Sequence, residues 1–288
     1  MKILILGVLG MAGHVMAEVL RDAGHDVVGF ARRESPYCRT IVGDAKDVRV
    51  LSKVLTDGAF DAVINCIGVL NTDVDADPVS GIYLNSVLPH LLAKYAAGTE
   101  TKVIHLSTDC VFSGKDGAYR EDSFRDADSM YGRSKAMGEL NDEKNLTIRT
   151  SIVGPDLHEE GKGLFNWFMN QTDTVNGYTQ AIWSGVTTIE LAKAVAALLE
   201  SNLTGLYHLV NGEVVDKYSL LNLFNQMRAE PIEIRPVDNA YVDKSIVCTR
   251  TDFEYTVPSY EMMVQEMEQW ICNHADMYRR YQIRSCGD

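Results

Sequence analysis

Three glycines constrain this chain more than any other feature. Gly7, Gly10 and Gly13 follow the apolar run Lys2–Leu6 and open the segment Met11–Ala23. In that segment Val15, Met16, Val19 and Leu20 recur at helical spacing, and Gly24 supplies a stop. A G-x-x-G-x-x-G turn between a buried strand and a helix lets the backbone turn sharply, approach a pyrophosphate closely and pack the helix on the strand. The helix N-terminus then favours the anion. Glycines can also be incidental in a tight turn; the strand–turn–helix context is what favours the binding reading.

The rest of the first half fits such a unit. Asp26–Phe30, Thr40–Val42, Ala62–Ile67 and Val103–Leu106 read as further buried strands, with helices over Val48–Leu55 and Ser86–Ala97 between them. Strands alternating with helices imply parallel β-α-β units. Continuous rather than alternating apolar strands imply a sheet covered on both faces. Past Arg149 the pattern loosens. Helices are expected over Gly161–Asn170, Thr188–Leu199, Tyr218–Arg228 and Ser259–Asp276, and a strand over Leu206–Val210. The expected fold is a Rossmann-type doubly wound parallel sheet with a smaller C-terminal α/β substrate lobe. The division expected is 1–152 and 153–288, with part of 186–210 returning to the first unit.

Composition narrows the functional classes. Lys and Arg number 27 against 40 Asp and Glu, a net charge of −13 over 288 residues. An acidic chain with no basic run is a poor match for a phosphate backbone, so nucleic acid is not expected as a partner. No run reaches the length of a membrane span, so no membrane partner is expected either. The opening apolar run could pass for a signal peptide, but glycines break it and Glu18, Arg21 and Asp22 follow. It reads as a buried first strand of a cytoplasmic protein. Cys38, Cys66, Cys110, Cys248, Cys272 and Cys286 form neither a C-x-x-C pair nor a Cys/His ligand spacing. They read as reduced thiols, and no metal is expected.

Candidate functional residues fall at strand ends, where ligands bind in open α/β sheets. Arg32 and Arg33 end the second strand, where a carboxylate would otherwise hold the adenosine ribose. A guanidinium there can hold a 2′-phosphate bidentately, which favours NADP(H) over NAD(H); the alternative is a pair of solvated arginines. Asp44 is placed to meet an adenine or to cap a helix. Cys66, Ile67 and Gly68 end the fourth strand, and Ser107, Thr108 and Asp109 the fifth. His105 reads as a satisfied core residue. Tyr131 and Lys135 share one helical face at i, i+4. An ammonium near a phenol favours the phenolate, so the pair predicts a tyrosine with a lowered pKa.

Together these residues resemble the extended short-chain dehydrogenase/reductase superfamily, and within it the dTDP-4-dehydrorhamnose reductase family of nucleotide-sugar reductases. The resemblance is carried in order by Gly7–His14 (G-V-L-G-M-A-G-H), Ser107–Gly114 (S-T-D-C-V-F-S-G), Tyr131–Glu139 (Y-G-R-S-K-A-M-G-E), Arg149–Gly154 (R-T-S-I-V-G) and Gly205–His208 (G-L-Y-H). It implies NADPH-dependent reduction of the 4-keto group of a nucleotide-linked 4-keto-6-deoxy sugar. Tyr131 would be the proton donor, Lys135 its partner and Thr108 the relaying hydroxyl. Cofactor contacts would fall on Gly7, Gly10, Met11, Ala12, Gly13, Arg32, Arg33, Asp44, Ala45, Cys66, Ile67, Gly68, Tyr131 and Lys135. Substrate contacts would fall on Thr108, Asp109, Ile152 and Trp183. A homodimeric assembly stays open.

The chain departs from that pattern near the sugar. Ile152 replaces a tryptophan and Cys110 an aromatic, so a larger ring substituent, such as the acetamido group of a UDP-linked 2-acetamido-2,6-dideoxy sugar, is expected to fit. Trp183, in the altered segment Asn176–Thr188, lines the sugar pocket or packs. Val15 stands where some members carry a magnesium-binding glutamate, so no metal is carried over. A 4,6-dehydratase would need a second carboxylate after Thr108-Asp109, where Cys110 stands. An epimerase would retain its NAD(H), which Arg32 and Arg33 argue against. A non-catalytic NADP-binding regulatory subunit would have no need of Thr108, Tyr131 and Lys135.

Overall fold

The computed structural model describes residues 1–238 and 240–284. The first half runs β1 (Lys2–Leu6), α1 (Met11–Asp22), β2 (Asp26–Ala31), β3 (Arg39–Val42), α2 (Val48–Gly58) and β4 (Ala62–Asn65). Two short helices follow, α3 (Asn71–Ala76) and α4 (Pro78–Ile82). A π-helical turn, Tyr83–Val87, leads into α5 (Leu88–Ala96). Then come β5 (Lys102–Ser107), a 3₁₀ turn at Asp109–Val111, α6 (Met130–Gly138) and β6 (Leu146–Arg149). The second half holds β7 (Ile152–Val153), α7 (Leu164–Met169), β8 (Val175–Tyr178), β9 (Ala181–Trp183), β10 (Val186–Thr187), α8 (Thr188–Leu199) and β11 (Gly205–His208). It closes with β12 (Val215–Asp216), α9 (Lys217–Met227), β13 (Ile234–Val237), β14 (Val242–Asp243) and α10 (Tyr260–Asn273).

Seven strands form one parallel sheet in the order β11-β6-β5-β4-β1-β2-β3. The strand order reverses at β1 and β4, and a doubly wound sheet opens its ligand crevice at that point. Strands β1, β4 and β6 are buried almost end to end because helices cover both faces. On one face Met16 and Leu20 of α1 join Leu191, Val195 and Leu198 of α8 and Met263 and Met267 of α10 in one core. On the other, Leu51 of α2 packs with Leu88 and Leu92 of α5. The Rossmann-type sheet expected from the sequence is present.

Several local expectations change. Helix α7 starts at Leu164 rather than Gly161, because Gly163 is its extended N-cap and the Asp156 side chain binds the His158 amide at 2.8 Å in the turn before it. Strand β6 was not read from the sequence. Cys38, Cys66, Cys110 and Cys248 are free thiols, whereas Cys272 is disulfide-bonded, against the expectation of six reduced cysteines; Cys286 lies outside the described residues. Among the described residues no helix is long and apolar enough to cross a membrane.

Candidate active site

The carboxyl ends of β1–β4 open on a cleft of ≈ 870 Å³. Gly7, Gly10, Arg32, Arg33, Asp44, Ala45, Cys66, Ile67 and Gly68 line it, so nine of the expected cofactor residues meet at one surface. Gly7 turns the chain with φ +79°, and its carbonyl accepts the Gly10 amide at 2.9 Å. A Cβ on Gly13 would lie 2.2 Å from the Gly7 carbonyl oxygen, so α1 can rest on the loop only because that residue is glycine. Gly10 is the N-cap of α1, and no side chain caps the helix there. Its free amides therefore remain for an anion. Met11, Ala12 and Gly13 form the first turn of α1 and are not among the residues lining the cleft. The residues present fit a dinucleotide.

The loop is braced from behind. His14 Nδ1–H donates to the Gly10 carbonyl at 2.8 Å, which leaves Nε2 to accept from the Tyr278 hydroxyl at 2.6 Å. Burial drives the His14 pKa down to about 4, so the ring stays neutral. Asp44 lines the cleft and accepts the Lys46 amide at 2.9 Å, whereas the cap of α2 is Asp47.

The residues expected to be catalytic lie at the end of β5 and on α6. Thr108 caps the 3₁₀ turn: its Oγ1 accepts the Cys110 amide at 3.1 Å and donates to Asp109 Oδ1 at 2.9 Å. Helix α6 comes close because a Cβ on Gly132 would sit 2.2 Å from the Cys110 carbonyl oxygen. That approach brings the buried Tyr131 near Thr108. Lys135 is buried, and its Nζ donates to the Leu106 carbonyl at 2.7 Å and to His105 Nε2 at 3.3 Å. Burial brings the Lys135 pKa down to about 8, opposed by the charge of Glu139.

The expected lowering of the tyrosine pKa is not what the geometry gives. Burial pushes the Tyr131 phenol well above its usual range, the nearby Cys110 adds to this, and only hydrogen bonding with Thr108 pulls it back. Lys135 is directed to Leu106 and His105 instead. Tyr131 is therefore a neutral phenol, a proton donor at rest. Burial also pushes the Cys66 and Cys110 thiols up to about 12, so both are protonated small side chains rather than nucleophiles.

The expected substrate residues are less uniform. Asp109 is buried against Thr108. Ile152 is half-buried on β7, opposite Val186. Trp183 is buried, donates from Nε1 to Ser151 Oγ at 2.8 Å and packs against Tyr260, so it offers no open ring face to solvent.

Other residues escaped the sequence reading. Asn85 sits in the π-helical turn, a form frequent at functional sites. Its Oδ1 accepts the Val69 amide at 2.8 Å and its Nδ2 donates to Ser134 Oγ at 3.0 Å. It thereby ties the cleft loop after β4 to α6. Lys46 joins Arg32 and Arg33 on the cleft, and Lys217 of the C-terminal half stands over the Trp183 ring at 5.1 Å. No spacing marks Asn85; a lysine directly after the helix cap Asp216 was the available signal for Lys217.

A family model described as the RmlD substrate binding domain matches residues 1–250. The chain belongs to that family. It is 29% identical over 225 residues to a probable low-salt glycan biosynthesis reductase of Haloferax volcanii, covering 73% of this chain and 75% of that one. It is 26% identical over 235 residues to the beta subunit of methionine adenosyltransferase 2 of Xenopus tropicalis, covering 76% and 70%. It is 27% identical over 249 residues to a dTDP-4-dehydrorhamnose reductase of Mycolicibacterium smegmatis, covering 82% and 72%. A crystal structure of a Bacillus anthracis dTDP-4-dehydrorhamnose reductase in complex with NADP superposes with TM-score 0.79 at 18% identity, covering 92% and 98%. The named relatives of this RmlD-family chain thus include reductases and a methionine adenosyltransferase subunit, and the solved reductase shares its fold.

Proposed function

We propose that the protein uses NADPH to reduce the 4-keto group of a nucleotide-linked 4-keto-6-deoxy sugar in the cytoplasm. The observation that carries this reading is the cluster of Thr108, Asp109 and the neutral Tyr131 at the end of β5, two strands from the glycine loop in the sheet. Reductases among the RmlD-family relatives support the substrate class.

In this reading the N-terminus of α1 holds the pyrophosphate, Arg32 and Arg33 the 2′-phosphate, and Lys135 the nicotinamide ribose. When bound, NADPH supplies the hydride. Thr108 holds the carbonyl oxygen, and Tyr131 gives it the proton as negative charge develops there. Asp109 accepts the Thr108 hydrogen bond when no substrate is present, and Thr108 turns that single O–H to the carbonyl oxygen when the sugar enters. Asn85 keeps α6 and the cleft loop in register, so donor and acceptor meet at a fixed distance.

The NADPH preference rests on two exposed arginines at the cleft. Replacing Arg32 and Arg33 by Ala is expected to weaken NADPH by ~10–100-fold per lost charged hydrogen bond, while NADH changes little. Fluorescence titration of both cofactors checks this, and equal weakening of the two would contradict it.

For the sugar we favour a UDP-linked 2-acetamido-2,6-dideoxy compound over dTDP-4-dehydrorhamnose, because Cys110 and Ile152 are smaller than the aromatics the family pattern has at those positions. A panel of 4-keto-6-deoxy sugar nucleotides, with and without the acetamido group, followed by loss of NADPH absorbance, tests both levels. Turnover of none defeats the ketoreductase reading. A higher kcat/KM for the dTDP-linked rhamnose precursor defeats only the finer one. The similarity to a methionine adenosyltransferase subunit favours a second reading, a non-catalytic NADP-binding subunit. NADPH binding without turnover of any keto sugar would favour it.

A further inference from the structure

The dinucleotide cleft has a third wall, and it comes from the other half of the chain. The cleft opens between the loop after β1, with Gly7 and Gly10, and the loop after β4, which runs into α3. These are the neighbouring strands at which the sheet order reverses. The segment from Asp156 to Gly163, between β7 and α7, touches both sides. At its end a Cβ on Gly163 would lie 2.8 Å from the Met11 sulfur, so the backbone rests directly on the first residue of α1. Beside it, Lys162 Nζ lies 2.5 Å from Asp73 Oδ1 of α3. Earlier in the segment, His158 lines the same cleft as Gly10 and Asp73. The segment is held in shape from behind. The Asp156 carboxylate accepts the His158 amide at 2.8 Å, and the Gly161 amide donates to the His158 carbonyl at 3.0 Å. The buried Asn166 of α7 donates to the Gly161 carbonyl at 2.7 Å and to the Glu159 carbonyl at 3.1 Å. The Tyr281 hydroxyl accepts the Asp156 amide at 3.0 Å, and Arg280 donates to the Asp156 carbonyl. These bonds use the backbone around His158 and leave its ring out; among the described residues no hydrogen bond or ion pair holds that ring. A braced loop that presents a histidine ring to a cleft fitted for a dinucleotide is a ligand-binding arrangement.

We propose that Asp156–Gly163 is a strap across the bound dinucleotide, in which His158 donates to the pyrophosphate and the Lys162–Asp73 pair fastens the strap to α3. This rests on the dinucleotide reading of the cleft. In that reading the amides at the start of α1 meet the pyrophosphate. The strap rests on Met11, the residue that opens that helix, and an imidazole N–H is a donor for a phosphate oxygen. The Lys162–Asp73 pair joins protein groups only, so it closes a filled and an empty cleft alike and sets how fast the cofactor passes. Arg32 and Arg33 meet the phosphate that distinguishes NADPH from NADH. His158 meets the diphosphate that the two share.

The test uses the full chain, fluorescence titration and stopped-flow mixing with NADPH and with NADH, and needs no turnover. His158, Lys162 and Asp73 are all exposed, so the variants keep the fold. His158→Ala is expected to weaken both cofactors by about 10-fold, the loss of a hydrogen bond to a charged group. His158→Gln keeps an N–H donor and should recover part of the affinity. Lys162→Met and Asp73→Asn should each speed both entry and release of NADPH by ~2–5-fold, the range for an exposed ion pair, with the dissociation constant little changed. The exchanged pair, Lys162→Asp with Asp73→Lys, should restore the wild-type rates. Unchanged affinity in His158→Ala, or a loss confined to NADPH, overturns the pyrophosphate contact. Wild-type rates in Lys162→Met and Asp73→Asn overturn the fastening of the strap. Failure of wild type to bind either dinucleotide is a different result: it removes the reading of the cleft itself, and the strap with it.

Discussion

Tyr131→Phe is expected to lower turnover by about 10²–10⁴-fold, the usual contribution of a positioned general acid. NADPH affinity should stay close to wild type, because the ring remains and only the hydroxyl is lost. The phenol is buried, lies near Thr108 and is held protonated by that burial. It therefore has the proton to give, and no other neutral acid of the expected catalytic set stands beside Thr108. Single-turnover rates with saturating NADPH check this. A Phe variant within a few-fold of wild type would remove Tyr131 from the reaction.

The second large effect is on stability. Glu139, just past α6, meets Arg149 of β6 through two hydrogen bonds of 2.8 and 2.7 Å. Ser107 donates to the same carboxylate at 2.7 Å and Arg125 at 3.0 Å. Arg149 is 1% exposed and also donates to His208 Nε2 at 2.7 Å, so the network joins three strands of the sheet to α6. Glu139→Ala would leave the guanidinium buried without its counter-charge, at a cost of about 3–5 kcal/mol. Urea unfolding measures it, and a loss under about 1 kcal/mol would show the pair to be dispensable.

The pH dependence of that pair has a defined sign. Burial pushes the Glu139 carboxyl up, but the hydrogen bonds and charge of Arg149, with Ser107 and Arg125, outweigh it and leave the pKa below the ordinary range. As pH falls the unfolded chain takes up this proton first. The stabilisation is present above the ordinary glutamate pKa and is lost as pH drops through the folded value.

The sequence was legible where one residue type has one physical use. The glycine loop was readable because Gly7 needs a positive φ and Gly13 admits no side chain. Strand β6 was not, because Thr147 and Arg149 give it an alternating look although all four residues are buried. The Thr147 hydroxyl is satisfied by the Leu140 backbone and Arg149 by Glu139, so polarity stopped reporting exposure. The same limit applies at the site. Tyr131 and Lys135 were placed by their spacing, but their mutual influence was misjudged. Whether an ammonium reaches a phenol depends on where it is drawn, and Leu106 and His105 draw Lys135 away. Lys217 is separated from Trp183 along the chain, and only the fold brings it over that ring.

The central claim is hydride transfer from a nicotinamide to carbon 4 of a nucleotide-linked sugar. It is tested most directly with NADPH deuterated at the transferring position and a 4-keto-6-deoxy sugar nucleotide, followed by mass spectrometry and NMR of the product. The account predicts net oxidation of the cofactor and a deuterium label at carbon 4 of the reduced sugar. An unlabelled sugar, or recovery of the cofactor unchanged, would contradict it.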